Sequence, residues 1–196
     1  MADSSPASDS QDERIEIHLK NPVAAFLLAW LIPGAGHFYQ GRVFKGAIFS
    51  LCILGTFLTG VLLGGDSEIG RGRVVYVNWP EERSLPNFAE RPFYACQLCA
   101  GAVATPAMIQ AKNPADPPLG KFMAPPNELN GESLNDLNRK LGRRWELGTV
   151  FTVIAGLMNI LAIYDACCGP VTAVEESKPE EPDPADGEEQ PDGDAG

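Results

Sequence analysis

The chain has 196 residues and a formal net charge of −11, with 44% apolar and 8% aromatic residues. The acidity sits at the ends: residues 1–20 hold five Asp/Glu against two Lys/Arg, and residues 171–196 hold ten against Lys178 alone. The middle, 21–170, has eleven acids and twelve bases and so no basic stripe to neutralise phosphates, and no nucleic-acid partner is expected.

Residues 1–20 form a polar tail, expected to be disordered. Its start, "MADSSPASDSQDE", is acidic where a signal peptide is basic, so no cleavable signal is expected. "RIEIHLK" alternates apolar and polar residues, placing Ile15, Ile17 and Leu19 on one face of a short strand or extended lead-in.

Four windows contain no Asp, Glu, Lys or Arg: 22–41, 46–65, 92–111 and 147–164. About 20 apolar residues in a helix cross the bilayer's hydrocarbon core of about 30 Å. The expected fold class is therefore all-α, an integral membrane helical bundle of three to four spans with disordered polar termini. In chain order we expect a transmembrane hairpin over 21–65, with spans at about 22–39 and 46–65. A polar loop over 66–93 follows, whose Val74–Trp79 stretch is β-prone, and then an apolar helix over 94–110, thinned by Gln97 and Pro106, as a candidate third span. The Pro-rich segment 111–132 cannot be regular, 133–146 reads as an amphipathic helix, 147–168 as the last span and 169–196 as a disordered acidic tail. Asn21 followed by Pro22 is a helix start. The positive-inside rule favours three crossings with the N-terminus inside, since only Arg42, Lys45 and Lys178 then lie outside, although four crossings stay open.

The connection "LIPGAGHFYQGRVFKG" places Pro33, Gly34, Gly36, His37, Phe38, Tyr39 and Gly41 at the end of an apolar run. Pro33 removes a backbone donor and clashes with the preceding turn, so the first helix should kink or end near Ile32. At these residues the chain resembles the two-transmembrane-helix domain family, which carries Gly, Gly, His, Phe-Tyr and Gly in the connection of a helical hairpin and an Asp after a later helix. The matching positions are Gly34, Gly36, His37, Phe38, Tyr39, Gly41 and Gly46. His37 abuts Phe38 where that family has an intervening residue, and Asp165 would supply the Asp at the end of the last span instead of the second. Taken with "ELGTVFTVIAGLMNILAIYDA", the chain is more similar to an uncharacterised, chiefly planctomycete family of bacterial membrane proteins. That resemblance covers about 21–65 and 146–166. It implies a multipass inner-membrane protein and brings no established activity.

Two stripes of small residues point to close helix packing: Thr56, Gly60 and Gly64 on one span, and Gly148, Thr152, Gly156 and Asn159 on the last. Asn159 should face the bundle, because an unpaired amide in hydrocarbon is costly. The helix "ESLNDLNRKLGRRWEL" sets Leu134, Leu137 and Leu141 opposite Arg139, Lys140, Arg143 and Arg144. That basic face either meets anionic lipid, with Trp145 at headgroup level, or is simply solvated. His37 and Asp165 are a candidate polar pair, as a proton relay or small-ligand site. Alternatively, His37 caps carbonyls freed by Pro33 and Asp165 pairs with Arg42 or a headgroup.

Cys96 and Cys99 have redox or zinc-like spacing without a second pair or a nearby His, so they read as packing residues. Neither a nucleotide-binding loop, a zinc-protease helix nor a nucleophile elbow is present, and no catalytic residue, metal or cofactor is expected. The expected function is that of a non-enzymatic scaffold or interaction protein of the membrane, its partners being the lipid bilayer and either a second copy or a larger membrane protein. The alternative is a small transporter, channel or proton-relay component using His37, Asn159 and Asp165.

Overall fold

The computed structural model describes residues 20–79, 86, 88–89, 91–126 and 132–168; both acidic tails and the "RIEIHLK" stretch up to residue 19 lie outside the described residues. In chain order the helices are α1 (Pro22–Leu31), α2 (Ala35–Tyr39), α3 (Val43–Leu63), α4 (Pro92–Leu98), a 3₁₀ turn (Gly101–Ala104), α5 (Pro106–Ala111), α6 (Leu134–Leu141) and α7 (Arg143–Cys168), with no strand among the described residues. Among the described residues, two helices are long and apolar enough to cross a membrane: α3 with 21 residues and α7 with 26. They pack antiparallel, Lys45 meeting Asp165 at one end and Gly60 meeting Gly148 towards the other. Leu51, Leu58, Leu157 and Leu161 point outward from this pair.

The window expected to supply the first span folds back on itself instead. Asn21 caps α1, its side chain accepting from the Val23 and Ala24 amides, and Pro22 sits in the first turn. Ile32 is extended, Pro33 follows, and Gly34 takes a left-handed φ of 85° that a side chain would resist. The chain then returns through α2 alongside α1: a Cβ on Gly36 would meet the Ala25 carbonyl and the Ala29 methyl. The Lys20 amide donates to Gln40 Oε1 at 2.9 Å, so the hairpin begins and ends at one level. Ten helical residues reach about 15 Å, half the depth of a bilayer core.

The third apolar window is also no single helix. It breaks at Gly101, whose φ of 88° and close approach to the Trp30 carbonyl exclude a side chain, and again at Pro106. Tyr94 Oη donates to the Ala104 carbonyl at 3.0 Å and closes α4 onto the 3₁₀ turn at the returning limb of the hairpin. This second hairpin enters from the opposite end. Arg91 lies over the Tyr76 ring, which packs on Trp145 at the start of α7, whereas the hairpin tip at Gly101 reaches Trp30 and Leu31 deep in the bundle.

The segments expected as loops fold over that end. The β-prone run makes no strand, but Val74, Val75, Tyr76 and Val77 are buried, and the Gly72 and Arg73 amides donate to the Val61 and Gly64 carbonyls. The Met123 amide donates to the Arg71 carbonyl, and the buried Gln110 side chain bridges Leu119, Gly120 and Phe122. Arg73, 1% exposed, pairs with Glu132 at 2.6 Å. The boundary before the last helix falls at Gly142 (φ 53°), so α7 takes in Arg143–Glu146, which the sequence had assigned to the amphipathic helix. Leu137 and Leu141 are buried, Leu134 is 38% exposed, and Trp145 turns inward onto Tyr76.

Candidate functional site

The polar residues gather at one end of the bundle and at its centre. At the end opposite the cap, His37 Nε2 lies 2.8 Å from Asp165 Oδ2. The same oxygen accepts from Arg42 Nη2 and from Lys45 Nζ, each at 3.0 Å, and Arg42 Nη1 donates to the Asp165 carbonyl. One carboxylate therefore faces two permanent cations and an imidazole, a local excess of positive charge held by charge-assisted hydrogen bonds. Gln40 extends the cluster, donating to the Ala166 and Lys20 carbonyls.

The local sequence explains the placement. The Pro33–Gly34 turn sends α2 back against α7, which sets His37 facing the last turn of α7. Arg42 stands at the N-cap position of α3, with no side-chain capping bond, and Lys45 lies in the first turn, so the start of α3 delivers both cations to Asp165. Ser50 Oγ donates to the Pro33 carbonyl at 2.7 Å, and the Ala29 carbonyl, four residues before Pro33, accepts from Asn159 Nδ2. His37 is fully buried, its ring packs against Phe49 with centroids 4.8 Å apart, and Nδ1 has no hydrogen-bond partner among the described residues. Asp165, on the Nε2 side of the ring, is part-exposed. Phe38 is 42% exposed, while Tyr39 lies under the Lys20 ammonium.

At the centre, Asn159 Nδ2 donates to the Ala29 carbonyl at 3.2 Å and to the Cys99 carbonyl at 2.9 Å. One amide thus ties both hairpins near their tips. Nearer the other end, Gln97 ties α4 to α7 and to the 64–79 segment, donating to Thr152 Oγ1 at 2.8 Å and to the Val74 carbonyl. The small-residue stripes meet within the chain. A Cβ on Gly60 would stand 2.6 Å from Thr152 Cγ2, a Cβ on Gly148 would stand 2.8 Å from the Gly60 carbonyl, and a Cβ on Gly156 would run into the Cys96 carbonyl. Gly64 backs onto Val74, a loop residue, and Thr56 donates to the Cys52 carbonyl of its own helix. Of the basic quartet, Arg144 donates to the Gly65 carbonyl; all four side chains are exposed. Among the described residues no group of three His, Cys, Asp or Glu could hold a metal, and both Cys96 and Cys99 are free thiols.

The model of a family of unknown function, DUF6677, matches residues 24–179. The chain belongs to the DUF6677 family. Compared with curated proteins and with solved structures, it shows no match. The DUF6677 match spans both hairpins, α3, the cap and α7 as one unit. Sequence reading missed Lys45, Gln97, Gln110 and the Arg73–Glu132 pair as members of polar networks. A signal existed for Gln97: a lone amide in an apolar run needs a buried partner, and it has two.

Proposed function

We propose that this DUF6677 chain is a non-enzymatic integral protein of a bacterial inner membrane. In this reading it crosses twice, through α3 and α7, while α1–α2 and α4–α5 enter from opposite faces and return. Its role is that of a scaffold presenting the ordered cap built from 64–79 and 112–126. The observation that carries the reading is the tie from Asn159 to both the Ala29 and Cys99 carbonyls. Broken helices are tolerated at membrane depth where protein buries them and satisfies their carbonyls, and the two tips meet that condition. Ten of the fifteen Lys/Arg lie after α3 and up to the first turn of α7, Arg143 and Arg144 included, which favours a cytoplasmic cap with both termini outside. The glycine faces are spent inside the chain, so association with a second copy or a larger partner falls to the cap and the outward leucines.

Single cysteines at positions 20, 121 and 185, in a background without the native thiols, test this in intact cells. Labelling at 20 and 185 with protection at 121 is expected. Positions 20 and 185 on opposite sides would mean an odd number of crossings and overturn it.

The His37–Asp165 contact favours a second reading, a proton-relay element. A relay predicts proton flux in proteoliposomes that His37→Gln removes, whereas a scaffold predicts no flux in either form.

A further inference from the structure

The segments that build the apolar part of the bundle, 21–65, 92–111 and 147–168, carry two permanent cations, Arg42 and Lys45, and one carboxylate, Asp165. All three meet at one point, where Arg42 Nη2 and Lys45 Nζ each lie 3.0 Å from Asp165 Oδ2. One carboxylate offsets one cation, so among the described residues a single positive charge is left over at the edge of an apolar surface. Phe44 and Val43, beside Lys45 in sequence, are 80% and 62% exposed. A cation held against apolar surface without its full counter-charge favours an added anion.

The cluster is open to a ligand. The Lys45 side chain is 45% exposed and the Arg42 side chain 19%. The ammonium contacts the two Asp165 oxygens and has three N–H donors, so at least one is free to point elsewhere. Because Arg42 and Lys45 reach the same oxygen, they stand close enough for one phosphate to touch both. Below the cluster runs the seam between α3 and α7. Cys52, seven residues after Lys45, and Leu161, four residues before Asp165, share the faces of those two residues, and both are exposed. Ile154, also exposed, continues the same side of α7 to about 16 Å from Asp165 along the axis, a depth that an acyl chain reaches.

We propose that the Arg42–Lys45–Asp165 cluster binds one singly charged anionic phospholipid, its phosphate on the Lys45 ammonium and the exposed edge of Arg42. An acyl chain lies along the α3–α7 seam past Leu161 and Ile154. Phosphatidylglycerol brings the one negative charge that the cluster lacks. Phosphatidylethanolamine and phosphatidylcholine bring an ammonium together with the phosphate and leave the excess in place. The proposal rests on the membrane reading, which carbonate extraction reads separately; loss of lipid selectivity in a chain that stays in the membrane counts against the lipid site alone.

The test is native mass spectrometry of the full chain in detergent, titrated with phosphatidylglycerol, phosphatidylethanolamine and phosphatidylcholine of identical acyl chains. One phosphatidylglycerol should be retained about tenfold more tightly than either competitor. Lys45→Met should erase that preference and Lys45→Arg should keep it. Arg139→Met, which removes an exposed cation from the opposite end, should leave it intact. Inorganic phosphate should not displace the lipid, since it has no acyl chain for the seam. Should Lys45→Met fail to fold, Leu161→Trp obstructs the seam without touching the charges and should cut retention of all three lipids. Equal retention of the three, the result if an acidic segment of the chain supplies the counter-charge, would overturn the proposal. So would a preference that survives Lys45→Met, one lost equally in Arg139→Met, or displacement by inorganic phosphate.

Discussion

His37 Nε2 lies 2.8 Å from Asp165 Oδ2, joining the first hairpin to the end of α7 across 128 positions of sequence. Because Arg42 and Lys45 converge on the same carboxylate, Asp165 is the keystone of this end. Asp165→Asn should leave two cations without their counter-charge and lower stability by about 1–3 kcal/mol. Lys45→Met should cost no more than about 0.5 kcal/mol, since the lysine side chain is 45% exposed and its pairing is screened. Thermal unfolding in detergent, followed by tryptophan fluorescence, checks the order. Equal effects would show that Asp165 is no more than one member of a surface pair.

Asn159→Leu removes the donor shared by the Ala29 and Cys99 carbonyls, the first buried and the second part-buried. A loss of about 1–3 kcal/mol is expected. Hydrogen exchange should rise together in 29–34 and 99–104, because one side chain holds both hairpins. A rise in only one of the two would mean that they are held independently.

Glycines of α3 and α7 should divide by what faces them. Gly156→Ala drives a methyl into the Cys96 carbonyl and should destabilise by about 2 kcal/mol. Gly55, on the outward side of α3, has nothing within 4 Å, and Gly55→Ala should be neutral or stabilising by up to about 1 kcal/mol. Gly60→Leu should disrupt the fold even at high dilution, since its contact is Thr152 of the same chain. A variant that folds normally but loses self-association would assign these faces to a second copy instead.

Asp66 accepts from the Ile69 amide at 2.8 Å and the Glu68 amide at 2.9 Å, and these bonds, the Ile69 one foremost, hold its carboxyl below the usual value of 3.8. A depressed folded pKa stabilises the turn at pH values above the unfolded one, and this contribution is lost as pH falls through the folded pKa. The Ile69 amide shift, titrated by NMR, should inflect below pH 3.8 in the wild type and stay flat in Asp66→Asn. An inflection above 3.8 would refute the hydrogen-bonded turn.

The apolar runs that became α3 and α7 were legible because twenty and eighteen uncharged residues in a row have few alternatives to a long helix. Pro33 and the Gly34 beside it announced a break. What lay hidden was its sense: a kinked span and a hairpin have the same composition. Gln97 and Pro106 read as weakening a third span, whereas Gln97 is a buried donor and Gly101 is the turn of a second hairpin. Trp145 shows the same limit, since an amphipathic ring suits both a headgroup layer and a packed core, and here it packs on Tyr76.

By itself the sequence determined which residues prefer to leave water, where the helices must stop, and which small residues permit close approach. These are local properties of side chain and backbone. The tertiary structure alone decided what they meet: Asp165 with His37, Asn159 with both hairpins, and Gly156 with a carbonyl of the same chain. Partners so far apart in sequence are chosen by the path of the chain, and that path turns on two glycines with positive φ, at 34 and 101.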